Sequence, residues 1–184
     1  MPNDAQGEPE FEVLFSAAQI RARIEELATE IADRKFNQLL VVAILKGSFI
    51  FAGDLLRALH VAGVRPEVDF VTLSSYRKSQ TSGGAVSILR DVDLDIAGRD
   101  VLIIDDILES GRTLAYAKDL LTARGATQVS TCVLLDKDVS RAVEIEADFK
   151  AFQCPDLFVV GYGMDLAYRY RELPFVGHVI KADA

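Results

Sequence analysis

The chain has 184 residues, half of them hydrophobic, so one core of ordinary domain size is within reach and no second domain is needed. A formal net charge of −8 argues against a nucleic-acid surface, and no apolar run reaches membrane-spanning length. The two cysteines, Cys132 and Cys154, form no close pair and lack metal-spaced histidines, which speaks against a zinc site or disulfide framework and fits a reduced cytoplasm.

In chain order, Met1 to Glu10 is polar and acidic and reads as a frayed tail rather than a secretory signal. Ser16 followed by Gln19 forms a capping box, and Ile20, Ile24, Leu27 and Ile31 then recur at helical spacing, so a helix covering a sheet is expected. Leu39 to Leu45 is a continuous apolar run of strand length, ended by Lys46-Gly47-Ser48, and Phe49 to His60 reads as a second helix. Val68 to Ser75 is a strand, Arg77 to Gly84 a Ser- and Gly-rich loop without an apolar anchor, and Ala85 to Leu89 a strand again.

Val101 to Ile104 reads as a buried strand that stops at the adjacent acids Asp105 and Asp106. Ser110-Gly111-Arg112-Thr113 then opens a helix with the stripe Leu114, Ala117, Leu120 and Leu121, which stops at Gly125. Val129 to Leu135 is a further buried strand with Lys137 just past it, and Leu157 to Val160 a short one. The stretch from Tyr162 to Ala184 is less regular and is expected to cap the strand ends. Apolar strands alternating with helices predict an α/β fold, a mostly parallel twisted sheet with helices on both faces and ligands at the carboxyl ends of the strands.

The segment Val101 to Leu114 concentrates the chemistry. Two carboxylates can accept hydrogen bonds from hydroxyls, while the start of a helix, with free backbone N–H groups, two hydroxyls and a positive dipole end, suits a phosphate. Together they suit a sugar phosphate such as ribose 5-phosphate. The competing reading is an ordinary strand-to-helix turn with solvated acids and Ser110 as a cap.

Four segments together resemble one family: Leu45-Lys46-Gly47-Ser48, Ser74-Ser75-Tyr76, Val101 to Leu114, and Phe158-Val159-Val160-Gly161-Tyr162-Gly163-Met164-Asp165. The pattern is similar to that of the type I phosphoribosyltransferases, in their 6-oxopurine (hypoxanthine) salvage group. The resemblance implies that fold, with a small hood formed from the chain termini and by about residues 155 to 184, and a lid over Ser74 to Gly84. It implies transfer of a ribosyl 5-phosphate from phosphoribosyl pyrophosphate to hypoxanthine, with guanine as a further acceptor, pyrophosphate release and Mg²⁺ dependence. A homodimer or homotetramer is implied as well, with no nucleic-acid or membrane partner.

Carried onto this chain, Asp105 and Asp106 hold the ribose hydroxyls, and Ser110, Gly111, Arg112 and Thr113 wrap the 5-phosphate. Lys46 and Gly47 form the pyrophosphate loop, with a non-proline cis peptide before the lysine. Lys137 donates to the 6-oxo group, which would reject adenine because two donors would meet. Phe158 stacks on the base and the Val159 main chain reads its other edge. Asp165 takes the metal, with Asp105 and Asp106 as indirect contributors, and Arg171 stabilises the departing pyrophosphate. Ser75 and Tyr76 belong to the lid. Glu109 stands where the family's usual base is an aspartate, and Asp105 where relatives often carry glutamate. The alternative is a sensor of phosphoribosyl pyrophosphate with the same fold and no turnover, which would need a nucleic-acid surface or an added domain.

Overall fold

The computed structural model describes residues 9–75 and 86–181. Its elements are β1 (Glu10–Phe15), α1 (Ala17–Asp33), β2 (Leu40–Leu45), α2 (Phe49–Val61), β3 (Glu67–Ser75), β4 (Val86–Arg90), β5 (Asp100–Leu108), α3 (Arg112–Ala123), β6 (Gln128–Lys137), β7 (Phe149–Cys154), β8 (Val159–Val160) and β9 (Val176–Lys181). Six strands form the main sheet in the order β4-β3-β2-β5-β6-β7, parallel except for the β3–β4 pair. From β2 the chain moves to β3 on one side, and from β5 to β6 on the other. The order therefore reverses between neighbouring β2 and β5, and the loops beyond their carboxyl ends part to leave a crevice.

The alternation of side chains explains why these strands read as unbroken apolar runs. Leu39, Val41, Ala43, Leu102 and Ile104 face one way and pack with Ile24, Leu27 and Ile31 of α1 and Phe51 and Leu55 of α2. Leu40, Val42, Ile44, Val101 and Ile103 face the other way, against Leu114, Ala117 and Leu121 of α3. Both faces are dry, so no position on these strands can be polar without a partner. The capping box at the start of α1 is present, with the Gln19 amide on the Ser16 hydroxyl at 3.4 Å and the Ser16 amide on Gln19 Oε1 at 2.9 Å.

Several boundaries differ from the sequence expectation. Glu10 is not tail but the first residue of β1, which pairs antiparallel with β9; β9 in turn pairs with β8, making a separate three-stranded sheet. β9 lies in the stretch read as less regular, and β7 in one to which the sequence reading assigned no element. β7 sits at the edge of the main sheet and is held by Arg23 of α1, which donates to the Ala151 and Lys150 carbonyls at 3.1 and 2.9 Å. β5 does not stop at Asp105 and Asp106 but stays in register with β6 as far as Leu108. Lys137 lies within β6, not past it. The segment Leu157 to Val160 forms a strand only at Val159 and Val160. The expected lid, apart from Ser74 and Ser75 at the end of β3, and residues 1–8 of the expected tail lie outside the described residues.

Leu102 and Ile103 are neighbours that fill opposite, fully buried faces. Leu102→Ala and Ile103→Ala should each lower the unfolding free energy by about 3 kcal/mol, measured by urea denaturation. A strand with one wet face would show the loss at only one of the two.

Candidate active site

The carboxyl ends of β2 and β5 open into a cavity of about 770 Å³ lined by Lys46, Gly47, Asp105 to Leu114, Val139, Ser140, Ala142 and Asp156, among others. Every residue of the expected ribose and phosphate set is in that lining. The phosphate cradle differs in detail from the simple cap. α3 begins at Arg112, and Gly111 is its N-cap in the left-handed conformation, at φ 77°, with no side-chain cap. The first helical bond runs from the Ala115 amide to the Gly111 carbonyl at 2.9 Å, which leaves the preceding amides without an acceptor inside the helix. Those amides, the Ser110 and Thr113 hydroxyls and the positive end of α3 converge on the cavity, as an anion requires.

On the β2 side the Leu45–Lys46 peptide is cis. Ser48 is fully buried, and its hydroxyl donates to the Ile44 carbonyl at 2.6 Å, folding the Lys46-Gly47 turn back onto its own strand. Gly47 then lies against Asp106: a Cβ at position 47 would stand 1.6 Å from Asp106 Oδ2. From the opposite side, Gly163 approaches so closely that its Cβ would stand 2.1 Å from the Gly47 carbonyl oxygen. Only glycines permit this junction of three backbone segments. Arg171 ties it together, donating to the Gly163 carbonyl at 2.6 Å and pairing with Asp165 Oδ1 at 2.7 Å. Asp165 Oδ2 accepts from the Tyr168 amide at 2.8 Å, so both of its oxygens are oriented by the protein.

At the far end of the cavity is Lys137, buried in β6. Its ammonium lies 3.1 Å from Glu109 Oε1 and 3.8 Å from Asp156 Oδ1. Glu109 thus bridges the cradle turn and the lysine. Phe158 is 56% exposed, which removes it from the core. Val159 is buried and paired in the small sheet with His178.

Electrostatically, the two acids of β5 are the outlying groups. Burial pushes the Asp105 carboxyl well above the usual carboxylate range, and the charge of Asp106 beside it adds to the rise. Burial also raises Asp106, moderated by the side-chain hydrogen bond with Asp105, by hydrogen bonds from its own and the Ile107 amide, and by the charge of Arg171. A buried carboxyl hydrogen-bonded to a second, half-buried one forms a site that gains from polar or cationic company.

Lys46, Gly47, Asp105, Asp106, Glu109, Ser110, Gly111, Arg112 and Thr113 share one cavity; Lys137 joins it through Glu109 and Asp156, and Asp165 and Arg171 through Gly163. Tyr76 lies outside the described residues, and for Ser75 the backbone pairing with Val86 is what is described. Sequence reasoning passed over Ser48, Asp156 and Gly163. The last was visible as the second glycine of a Gly-X-Gly-X-Asp run; the other two carried no signal of their own. A second cavity of about 880 Å³, between α1, α2 and residues 172–174, holds neither the paired acids nor a cradle.

Comparison with known proteins matches this geometry. A family profile described as the phosphoribosyl transferase domain matches residues 13–167. The hypoxanthine phosphoribosyltransferase of Escherichia coli (strain K12) is 44% identical over 94% of this chain and 97% of its own length. The hypoxanthine-guanine phosphoribosyltransferase of Dictyostelium discoideum is 39% identical over 91% and 94%. Among solved structures, the hypoxanthine phosphoribosyltransferase of Trypanosoma cruzi in complex with the product IMP superposes with a TM-score of 0.85 at 37% identity, covering 93% of this chain and 94% of that one. The acids closing β5, the glycine-capped helix and the buried lysine thus sit in a chain that belongs to the phosphoribosyltransferase family, among its hypoxanthine phosphoribosyltransferases.

Proposed function

We propose that this protein is a purine-salvage enzyme that transfers the 5-phosphoribosyl group of phosphoribosyl pyrophosphate to hypoxanthine, and to guanine, giving IMP or GMP and pyrophosphate. One observation carries the reading: a buried ammonium, Lys137, is linked at 3.1 Å to Glu109, which lies in the same turn as the ribose acids and the phosphate cradle. That one turn thus brings together groups suited to the phosphate, the ribose and the base. Ser110 to Thr113 receive the 5-phosphate, and Asp105 and Asp106 accept from the ribose hydroxyls. Lys137 donates to the 6-oxo group, Phe158 offers its exposed ring to the base, and the Val159 main chain reads the other edge. Glu109, within reach of the ammonium that contacts the base, accepts the proton that the purine ring nitrogen gives up as the glycosidic bond forms. Lys46, the Gly47 backbone and Arg171 face the departing pyrophosphate, where negative charge develops.

Among the described residues no group of three or more acids, histidines or cysteines forms a metal cage. That suits Mg²⁺, which keeps water and substrate oxygens and takes one or two carboxylates, with Asp165 as the direct ligand and Asp105 and Asp106 as indirect ones. The metal supplies charge neutralisation at the pyrophosphate. Exposed Phe49 and Val61 on α2 support a homodimer or homotetramer, and the two free, buried thiols support a cytoplasmic setting. No observation favours the sensor alternative.

Incubation with phosphoribosyl pyrophosphate, Mg²⁺ and each of hypoxanthine, guanine, xanthine and adenine should give IMP and GMP and no AMP; absence of IMP would refute the reading. Glu109→Gln keeps a hydrogen-bonding oxygen for Lys137 and removes the proton acceptor, so kcat/KM for hypoxanthine should fall about 10²-fold. Unchanged efficiency would leave leaving-group activation as the main source of rate.

The raised carboxyls yield a further expectation. The folded protein holds their protons more tightly than the unfolded chain does, so the stability they contribute is full at low pH and is lost as pH rises through the folded values. At neutral pH burial of the Asp105 carboxyl is therefore a net cost to the folded protein, one that an amide at the same position would not carry. Asp105→Asn should raise the unliganded melting temperature at pH 7.5 by about 3 °C, for a relief of about 1 kcal/mol. The gain should shrink toward pH 4.5, while the KM for phosphoribosyl pyrophosphate rises about tenfold. A melting temperature that does not rise would contradict the electrostatic account.

A further inference from the structure

The loop between β6 and β7, residues 138–148, runs from the base lysine back across the phosphate cradle. The Ala142 and Val143 amides both donate to the Ser110 carbonyl, each at 3.1 Å. The approach is close enough that a Cβ at position 111 would stand 2.4 Å from the Val143 carbonyl oxygen. A peptide unit is planar, so gripping the Ser110 carbonyl also sets the direction of the Gly111 N–H, one of the cradle donors.

One side chain holds this loop in shape. Arg141 donates through Nη1 to the Ile145 carbonyl at 2.9 Å, and through Nη2 to the Asp136 carboxylate and to the Lys137 carbonyl at 3.3 Å. Asp136 is buried and takes Lys150 on its other oxygen at 2.7 Å, so the anchor is braced from both sides. Among the described residues, Arg141 Nε is buried without a hydrogen-bond partner, so the fork is held by its two terminal nitrogens. The far end of the loop is pinned separately, with Asp148 accepting from the Thr131 amide and hydroxyl at 2.9 and 3.0 Å.

We propose that Arg141 is a positioning residue that couples the two ends of the ligand site. Through one guanidinium it fixes the main chain of Lys137, which reads the base, and the loop whose amides orient the Ser110-Gly111 cradle. The inference rests on the reading of the cavity as a phosphoribosyl and purine site. Loosening the fork should therefore degrade the fit of both substrates together, without touching the reacting groups.

The test is steady-state kinetics of Arg141→Met, which keeps the length and apolar stem and lacks the donors, alongside circular dichroism to establish folding. The KM for phosphoribosyl pyrophosphate and the KM for hypoxanthine should each rise about tenfold, with kcat within about twofold of the parent. A purely structural role would lower the melting temperature and the active fraction while leaving both KM values unchanged, and that result would overturn the proposal. A shift confined to one substrate would overturn it too, since coupling demands both. Should Arg141→Met fail to fold, Arg141→Lys, which retains a charge for Asp136 but not the fork, is judged by the same criterion. Failure of the unsubstituted protein to make IMP would instead refute the reading of the site, and is distinguishable on that ground.

Discussion

The site depends on one topological constraint, that β2 and β5 lie side by side while their chains leave in opposite directions. Because each loop turns away from the other, the carboxyl ends of two buried strands are left facing an open crevice. Each chemical element answers that geometry. The Lys46-Gly47 turn closes β2, the β5 acids project where the sheet loses its cover, and α3 presents its positive end to the same space. The Gly47, Gly163 and Asp106 contact then locks the two flanks together at distances that no side chain could share.

The electrostatics follow from placing charge in that crevice. Asp105 and Asp106 are destabilised by burial, and only Arg171 among the charges acting on Asp106 offsets it. The raised carboxyls are thus the part of the crevice that gains most from a hydrogen-bond donor or a cation. Lys137 is the opposite case: its buried ammonium has the Glu109 carboxylate at 3.1 Å and that of Asp156 at 3.8 Å.

The main sheet was legible because its central strands are dry on both faces, which writes Leu39 to Leu45 and Val101 to Ile104 as unbroken apolar runs. That Lys46, Gly47 and the residues from Asp105 to Thr113 line one cavity was legible for a related reason: they follow those runs directly in sequence. What stayed hidden is what depends on distant partners. β1 alternates acids with apolar residues and pairs with β9, its partners running from Glu10↔Lys181 to Phe15↔Val176 across almost the whole chain. β7 has a mixed pattern because it forms an edge and leans on Arg23. The helix start was misplaced by two residues because Gly111, not Ser110, supplies the cap, through a backbone conformation that residue type permits but does not announce. Asp156 and Arg141 lie in polar loops where a functional side chain looks like any solvated one.

The small sheet that closes the base end has a temporal meaning. Its strands come from residues 10–15, 159–160 and 176–181, so the earliest-made strand waits for the latest-made one. Closing a loop of that span is entropically unfavourable until the main sheet has already brought its ends near. The cavity walls on β2, β5 and α3 do not depend on that closure, whereas Val159 does, because its strand is paired to β9.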